Sequence, residues 1–177
     1  MANTTFQGPV TSKAGFITTG PANVVDADSS VSLTVATHSG KIVHNDAAGA
    51  VTYTLPATNA NSDSAIAGPG ADLNNLSNVG AKFEIFSSIT KTGDLVVQVA
   101  NATDVIIGSA SFIDDSSDNM VGFETASTSD TITLNGSTTG GVTFAKIECT
   151  VIASGKYKVD VISGCTGTPA TPFSAAV

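Results

Sequence analysis

VTFAKIECTVIA (142–153), SG (154–155) and KYKVDVISG (156–164) read in order as strand, turn and strand. Ser154-Gly155 is a good two-residue turn, and the flanking runs are rich in β-branched and aromatic residues, so this is the strongest hairpin in the chain. A two-residue turn predicts that Ala153 pairs with Lys156 and Cys149 with Asp160. Cys165 then falls opposite Phe144. At roughly 3.3 Å per residue the two cysteines lie about 16 Å apart along the ladder, beyond the ~7 Å that a disulfide allows between Cα atoms. The expectation is two free thiols.

Other β signals lie upstream. VSLTVAT (31–37) alternates Val31, Leu33 and Val35 against smaller or polar residues and predicts a half-buried strand. KIVH (41–44) follows a Ser39-Gly40 turn, and AVTYTL (50–55) places Val51, Tyr53 and Leu55 on one face before Pro56 ends it. AKFEIFS (81–87) alternates Phe83 and Ile85 with Lys82, Glu84 and Phe86. Lys91-Thr92-Gly93-Asp94 reads as a hairpin turn into LVVQVA (95–100). DVIIG (104–108) and SFI (111–113) read as short, mostly buried strands, MVGFET (120–125) as another, and DTITL (130–134) as a strand ending in Asn135-Gly136 turn chemistry. Residues 17–30 and 57–79 read as loops, with one or two helical turns expected in DLNNLSNV behind Asp72. The layout is about nine or ten short strands with scarce helix and no solenoid-grade repeat. It predicts an all-β fold, a β-sandwich or jelly-roll-like domain over residues 31–165. Residues 1–30 form an extended N-terminal arm and linker, and residues 166–177, with two prolines, an extended C-terminal tail.

Composition narrows the function. The chain of 177 residues has seven basic residues, all lysine, against fifteen carboxylates, for a net charge of −8. The missing guanidinium fork and the acidic balance argue against a nucleic-acid partner. Charged residues make up only 12 %, so Thr, Ser, Asn and Gly must build the surface, as in extracellular or particle-surface β-proteins. No apolar run approaches the ~20 residues of a membrane span, so no membrane partner is expected. Trp is absent, which weakens a sugar-binding reading.

Catalytic candidates are thin, and the expectation is a non-enzyme without metal or cofactor. His38 and His44 flank the Ser39-Gly40 turn and could pair with Asp46, but they read as two exposed turn histidines without a third zinc ligand. DDSSDN (114–119) lacks the spacing of a calcium loop and reads as a solvated acidic loop. No G-x-S-x-G elbow or G-x-x-x-x-G-K-[ST] loop occurs, and Gly68-Pro69-Gly70 is a turn that lacks a phosphate-binding donor. Cys149, mid-strand, is expected to be buried and inert.

The start, MANTTFQGPVTSKAGF (1–16), has no apolar core of seven or more residues, so it does not read as a signal peptide. Its β-branched residues, Gly8-Pro9 and Gly15 break a helix and leave an extended polar arm with two aromatic anchors, Phe6 and Phe16. Such an arm buries little against its own chain and suits contact with a partner.

The segment NTTFQGPVTSKAGF resembles the start of small structural proteins of tailed bacteriophages, particularly of marine and cyanobacterial hosts, with the approximate pattern T-x-F-x-G-P-V-x-S-x-x-G-F. Thr5-Phe6-Gln7-Gly8-Pro9-Val10, Ser12 and Gly15-Phe16 carry it here. The body is similar in layout: Val51-Thr52-Tyr53-Thr54-Leu55-Pro56, a polar insertion, Gly80-Ala81-Lys82-Phe83-Glu84-Ile85, and a final hairpin at Gly155-Lys156-Tyr157. The resemblance implies a capsid decoration, or cement, protein on the outer surface of the virion. Its partners would be the major capsid protein and itself, as a homotrimer at threefold and quasi-threefold positions. Phe6, Gly8, Pro9, Val10 and Phe16 would be the capsid contacts. The alternatives are a head-fibre or tail-fibre module for host attachment, and a secreted β-sandwich lectin or enzyme.

Overall fold

The computed structural model describes residues 23–59, 78–115, 117 and 119–177. Phe6, Gly8, Pro9, Val10, Phe16 and residues 72–77 of the DLNNLSNV segment lie outside the described residues, and the Asn78 N–H donates to Asn59 O. Two sheets pack face to face as an all-β sandwich. The first contains β1 (Val24–Asp26), β3 (Ile42–Asn45), β5 (Lys82–Ser87), β7 (Val105–Asp114), β8 (Met120–Glu124), β10 (Val142–Ala153) and β11 (Lys156–Cys165), in the order β1-β3-β5-β10-β11-β7-β8. The second contains β2 (Val31–Ser32), β4 (Val51–Thr54), β6 (Leu95–Gln98), β9 (Thr131–Leu134) and β12 (Phe173–Ser174), in the order β12-β9-β6-β4-β2.

From β1 to β6 the chain changes sheet at every connection. Each return to a sheet therefore arrives in the same direction, so β1, β3 and β5 pair in parallel, as do β2, β4 and β6. A strand in the opposite sheet serves as the crossover that a helix supplies in βαβ units. The β10–β11 hairpin then fills the gap between β5 and β7, antiparallel to β5 and parallel to β7. These parallel ladders distinguish the sandwich from an antiparallel jelly roll.

Alternation places the core. Val43, Ile85, Ile147, Val161 and Ala110 stand in one register row across five strands of the first sheet, and all are buried. Tyr53, Val97 and Ile132 form the facing row of the second. The hairpin has the expected turn, with Gly155 at φ 73°, and Ala153 opposite Lys156. A bulge between Val151 and Ala153 then shifts the register by one, so Cys149 faces Val159 rather than Asp160. A second irregularity lies between Val142 and Lys146, and Val142, not Phe144, ends near Cys165, opposite Gly164. Both cysteines are buried free thiols.

Several local expectations change. The strand predicted over 31–37 stops at Ser32, and Val35–His38 forms a single helical turn, α1. The Thr34 hydroxyl caps the Thr37 N–H, the Thr34 N–H donates to His38 Nδ1, and Val35 is exposed. These local bonds outcompete a ladder that only two residues can reach. Within the presumed 17–30 loop, Val24–Asp26 is the edge strand β1. Lys91-Thr92-Gly93-Asp94 is no hairpin, because β5 and β6 belong to different sheets. Thr92 and Gly93 N–H groups donate to Ala48 O, and Lys91 N–H donates to Gly141 O. DVIIG and SFI are one continuous strand, β7, with Ile107 and Ile113 exposed. Gly108 sits mid-strand because β11 passes against it: a Cβ there would lie 1.8 Å from Val159 O.

Polar ties hold the ends. Asp104, buried, accepts from the Thr58 N–H and hydroxyl and from the Asn101 amide. The tail docks through β12 on β9, and buried Asp130 accepts from Thr131 Oγ1, Ala176 N–H and Val177 N–H. Burial works against the Asp130 charge, yet these donors prevail and hold its carboxyl below the ordinary value.

Gly108→Ala is expected to destabilise the domain by about 1–3 kcal/mol in chemical denaturation, because the obstructing atom is backbone. The Asp130 carboxyl has a lower pKa folded than unfolded. Its stabilisation is therefore complete above the unfolded value of ~3.9 and is lost as pH falls through the folded one. Hydrogen exchange at Ala176 and Val177 should accelerate, relative to core amides, below about pH 4, and Asp130→Asn should accelerate it at neutral pH.

Candidate functional site

The parallel register of β1, β3 and β5 sets Asp26 opposite His44 and His44 opposite Phe86, with Ser88 just past the end of β5. His44 Nδ1 lies 3.3 Å from Asp26 Oδ1, and Nε2 lies 2.9 Å from Ser88 Oγ. His44 is thus not an exposed turn residue. His38 is buried against Thr34, and the two histidines do not form a pair.

Asp26 shares this corner with Asp28 and Asp46, whose carboxylate oxygens all lie within 4.8 Å of one another. The Asp46 N–H donates to Asp28 Oδ1 at 2.9 Å. The Asp46 backbone and side-chain hydrogen bonds lower the Asp28 carboxyl below its usual range, and the Asp28 side-chain bond and charge raise that of Asp46. Such a pair shares a proton more readily than two independent acids. These three oxygens are the donors among the described residues that could meet a hard cation.

A buried polar network lies beneath. Tyr53 OH and Asn45 Nδ2 both donate to Ala27 O, and Lys91 Nζ donates to Asn45 Oδ1 at 3.0 Å and to Ala47 O. Burial pushes the Tyr53 phenol up to about 12 and lowers the Lys91 amine, which the Asp28 charge partly restores. The network fixes the segment that carries the acidic corner. None of it is visible in local sequence, since Lys91 lies 46 residues from Asn45.

The connectivity Ser88–His44–Asp26 is that of a nucleophile, base and orienting acid. Acyl transfer also needs a donor for the developing oxyanion. The Ser88 N–H, which stands nearest its own hydroxyl, donates instead to Asn45 O at 3.1 Å. Ser88 itself is exposed. The cysteines offer no alternative nucleophile, because burial pushes both thiols above their ordinary range. In the presumed acidic loop, Asp114 is buried and accepts from Ser117 Oγ, and its N–H donates to Asn119 O.

The outer face of the first sheet carries the remaining chemistry. Glu84 stands directly opposite Glu148, a like-charge pairing that is unfavourable alone. Lys82 reaches Glu148 at 2.8 Å, and Lys146 lies 3.7 Å from Glu84 and 3.6 Å from Glu148. The Lys82 hydrogen bond holds the Glu148 carboxyl below its usual range. Beside this quartet, Asn23, Gly40, Lys41, Ile42, Lys82 and Glu84 line a cleft of about 320 Å³. Asn23 lies within residues 1–30, and its carbonyl accepts from the Ile42 N–H at 2.9 Å, so the cleft borders the β1 edge of the first sheet.

Comparison with protein families, with characterised proteins and with solved structures finds no match to this chain. Among the described residues, no helix is long and apolar enough to cross a membrane.

A fluorophosphonate probe is expected to leave native Ser88 unmodified, as read by intact mass. A stoichiometric adduct that His44→Ala abolishes would establish an active relay.

Proposed function

We propose that the chain is a structural virion protein that decorates and stabilises a bacteriophage capsid by binding the major capsid protein. It does so as a homotrimer at threefold and quasi-threefold positions on the outer surface. The observation that carries this reading is the opening segment, whose Phe6, Gly8-Pro9-Val10 and Gly15-Phe16 match the phage pattern in order. An extended arm with aromatic anchors contributes most when it lies on a neighbour, and many weak attachments on one particle reinforce one another.

The domain supports the reading in two ways. Its tail is clamped by Asp130 and its sheets are closed by a continuous core, so it is a self-contained body on which an arm can be mounted. Its outer sheet face is a broad surface of salt-bridged charge and exposed aliphatic side chains, suited to contact with protein. No nucleic acid, membrane or cofactor is needed for this role.

The test is co-sedimentation with expanded empty capsids. Full-length protein should bind in multiples of three per site, and deletion of residues 1–16 should abolish binding. Phe6→Ala should weaken binding about tenfold, the loss of a partly buried aromatic contact, while the melting temperature of the isolated protein stays unchanged. Undiminished binding by the deletion variant, or binding to host cells or glycans instead, would overturn the proposal in favour of another attachment mode or a fibre.

A further inference from the structure

Among the described residues, four strands lie at sheet margins, and three are blunted. β2 and β12 have two residues each, and β1 has three, with Asp26 at its end and Asp28 just beyond. Short and charged edges resist pairing with other chains. β8 differs. It runs for five residues, MVGFE, with no lysine and no proline, and its single ladder partner among the described residues is β7.

The phase of that ladder shows which groups face outward. The Asp114 N–H donates to Asn119 O, and the Thr125 N–H donates to Gly108 O. Residues 119, 121, 123 and 125 therefore direct their backbone groups toward β7, and Met120, Gly122 and Glu124 direct theirs away from the sheet. At Gly122 there is no side chain to obstruct an approaching backbone.

An apolar patch adjoins this edge on the outer sheet face. Met120 is 71 % exposed and stands opposite Ile113, which stands opposite Gly164. The Phe144 ring lies against Gly164, 3.4 Å from where a Cβ would be, and exposed Ile162 lies in the next row. Phe144 is held at φ 59°, a backbone state that bulky residues rarely adopt, and it keeps an aromatic ring at the surface. Exposed Asp115 and Glu124 bracket the strand.

We propose that β8 accepts an extended strand from another protein. The incoming segment pairs with the outward backbone groups of Met120, Gly122 and Glu124, lays alternate apolar side chains on the Met120–Ile113–Ile162–Phe144 patch, and carries basic residues at its ends. This is recognition by β-augmentation. The occupant is a foreign, basic-ended strand and not a second copy, because each copy carries a net charge of −8 and acids at both ends of this edge. The proposal stands independently of the capsid reading.

The probe is the peptide acetyl-KTVTVTVTK-amide, titrated into the full-length, ¹⁵N-labelled protein with amide exchange as the readout. Exchange should slow at Met120, Gly122 and Glu124, and the glutamate-ended peptide acetyl-ETVTVTVTE-amide should bind about tenfold more weakly. Gly122→Pro removes one outward N–H without touching a bond to β7, and should weaken binding about tenfold. If that variant does not fold, Met120→Lys, a change at an exposed side chain, should weaken binding similarly. Unchanged exchange at the three amides, or slowing at β1, β2 or β12 instead, would overturn the proposal. Concentration-dependent slowing without peptide would replace it with self-association.

Discussion

A two-residue turn that pairs Ala153 with Lys156 sets odd-numbered residues of one strand opposite even-numbered residues of the other. The buried side chains of both strands, however, are odd: Ala145, Ile147, Cys149 and Val151 on β10, and Tyr157, Val159 and Val161 on β11. Without correction, Cys149 would share its face with Asp160, and one apolar set would turn to solvent. The bulge at Ile152 removes the mismatch by leaving one residue unpaired and exposed. Everything central to the first sheet depends on that correction, because β5 takes its register from β10 and β7 takes its register from β11.

The corrected hairpin also explains why the two halves of the chain meet. The N-terminal half winds from sheet to sheet through β6 and ends its share of the first sheet at β5. The hairpin supplies an antiparallel face to β5 on one side and a parallel face to β7 on the other, so the sheet grows to seven strands around it. Long-range polar bonds then secure the crossings. Gly155 N–H donates to Thr58 Oγ1 and Tyr157 OH donates to Pro56 O, each joining the hairpin to the end of β4. Lys91 ties the β5–β6 crossing to the end of β3.

With both inner faces closed, distinctive chemistry is left to the rim and the outer surface. The acidic corner and the Ser88–His44–Asp26 alignment arise because three parallel strands end at one level. Asp26, His44 and Ser88 are far apart in sequence and belong to no motif, so no reading of spacing could have joined them. The β8 edge was only partly legible: MVGFET reads as a strand, but which of its residues face outward follows from a ladder phase fixed by the Asp114–Asn119 and Gly108–Thr125 hydrogen bonds at its two ends.

By itself, the sequence determined what depends on side-chain alternation and local turn chemistry. This covers the all-β class, most strand positions, the Ser154-Gly155 turn, the stop at Pro56, and the shared face of Val51, Tyr53 and Leu55. The bulge was in principle legible too, since the parity of the apolar positions conflicts with a two-residue turn. The tertiary structure decided which strands are neighbours, and with that the parallel pairings and the sheet change at Lys91–Asp94. Hydrophobic alternation records only whether a side chain faces in or out, and in a two-sheet sandwich either sheet satisfies it. The choice between them rests on bonds such as Thr92 to Ala48 and Lys91 to Gly141, whose partners the chain brings together only when the whole core closes.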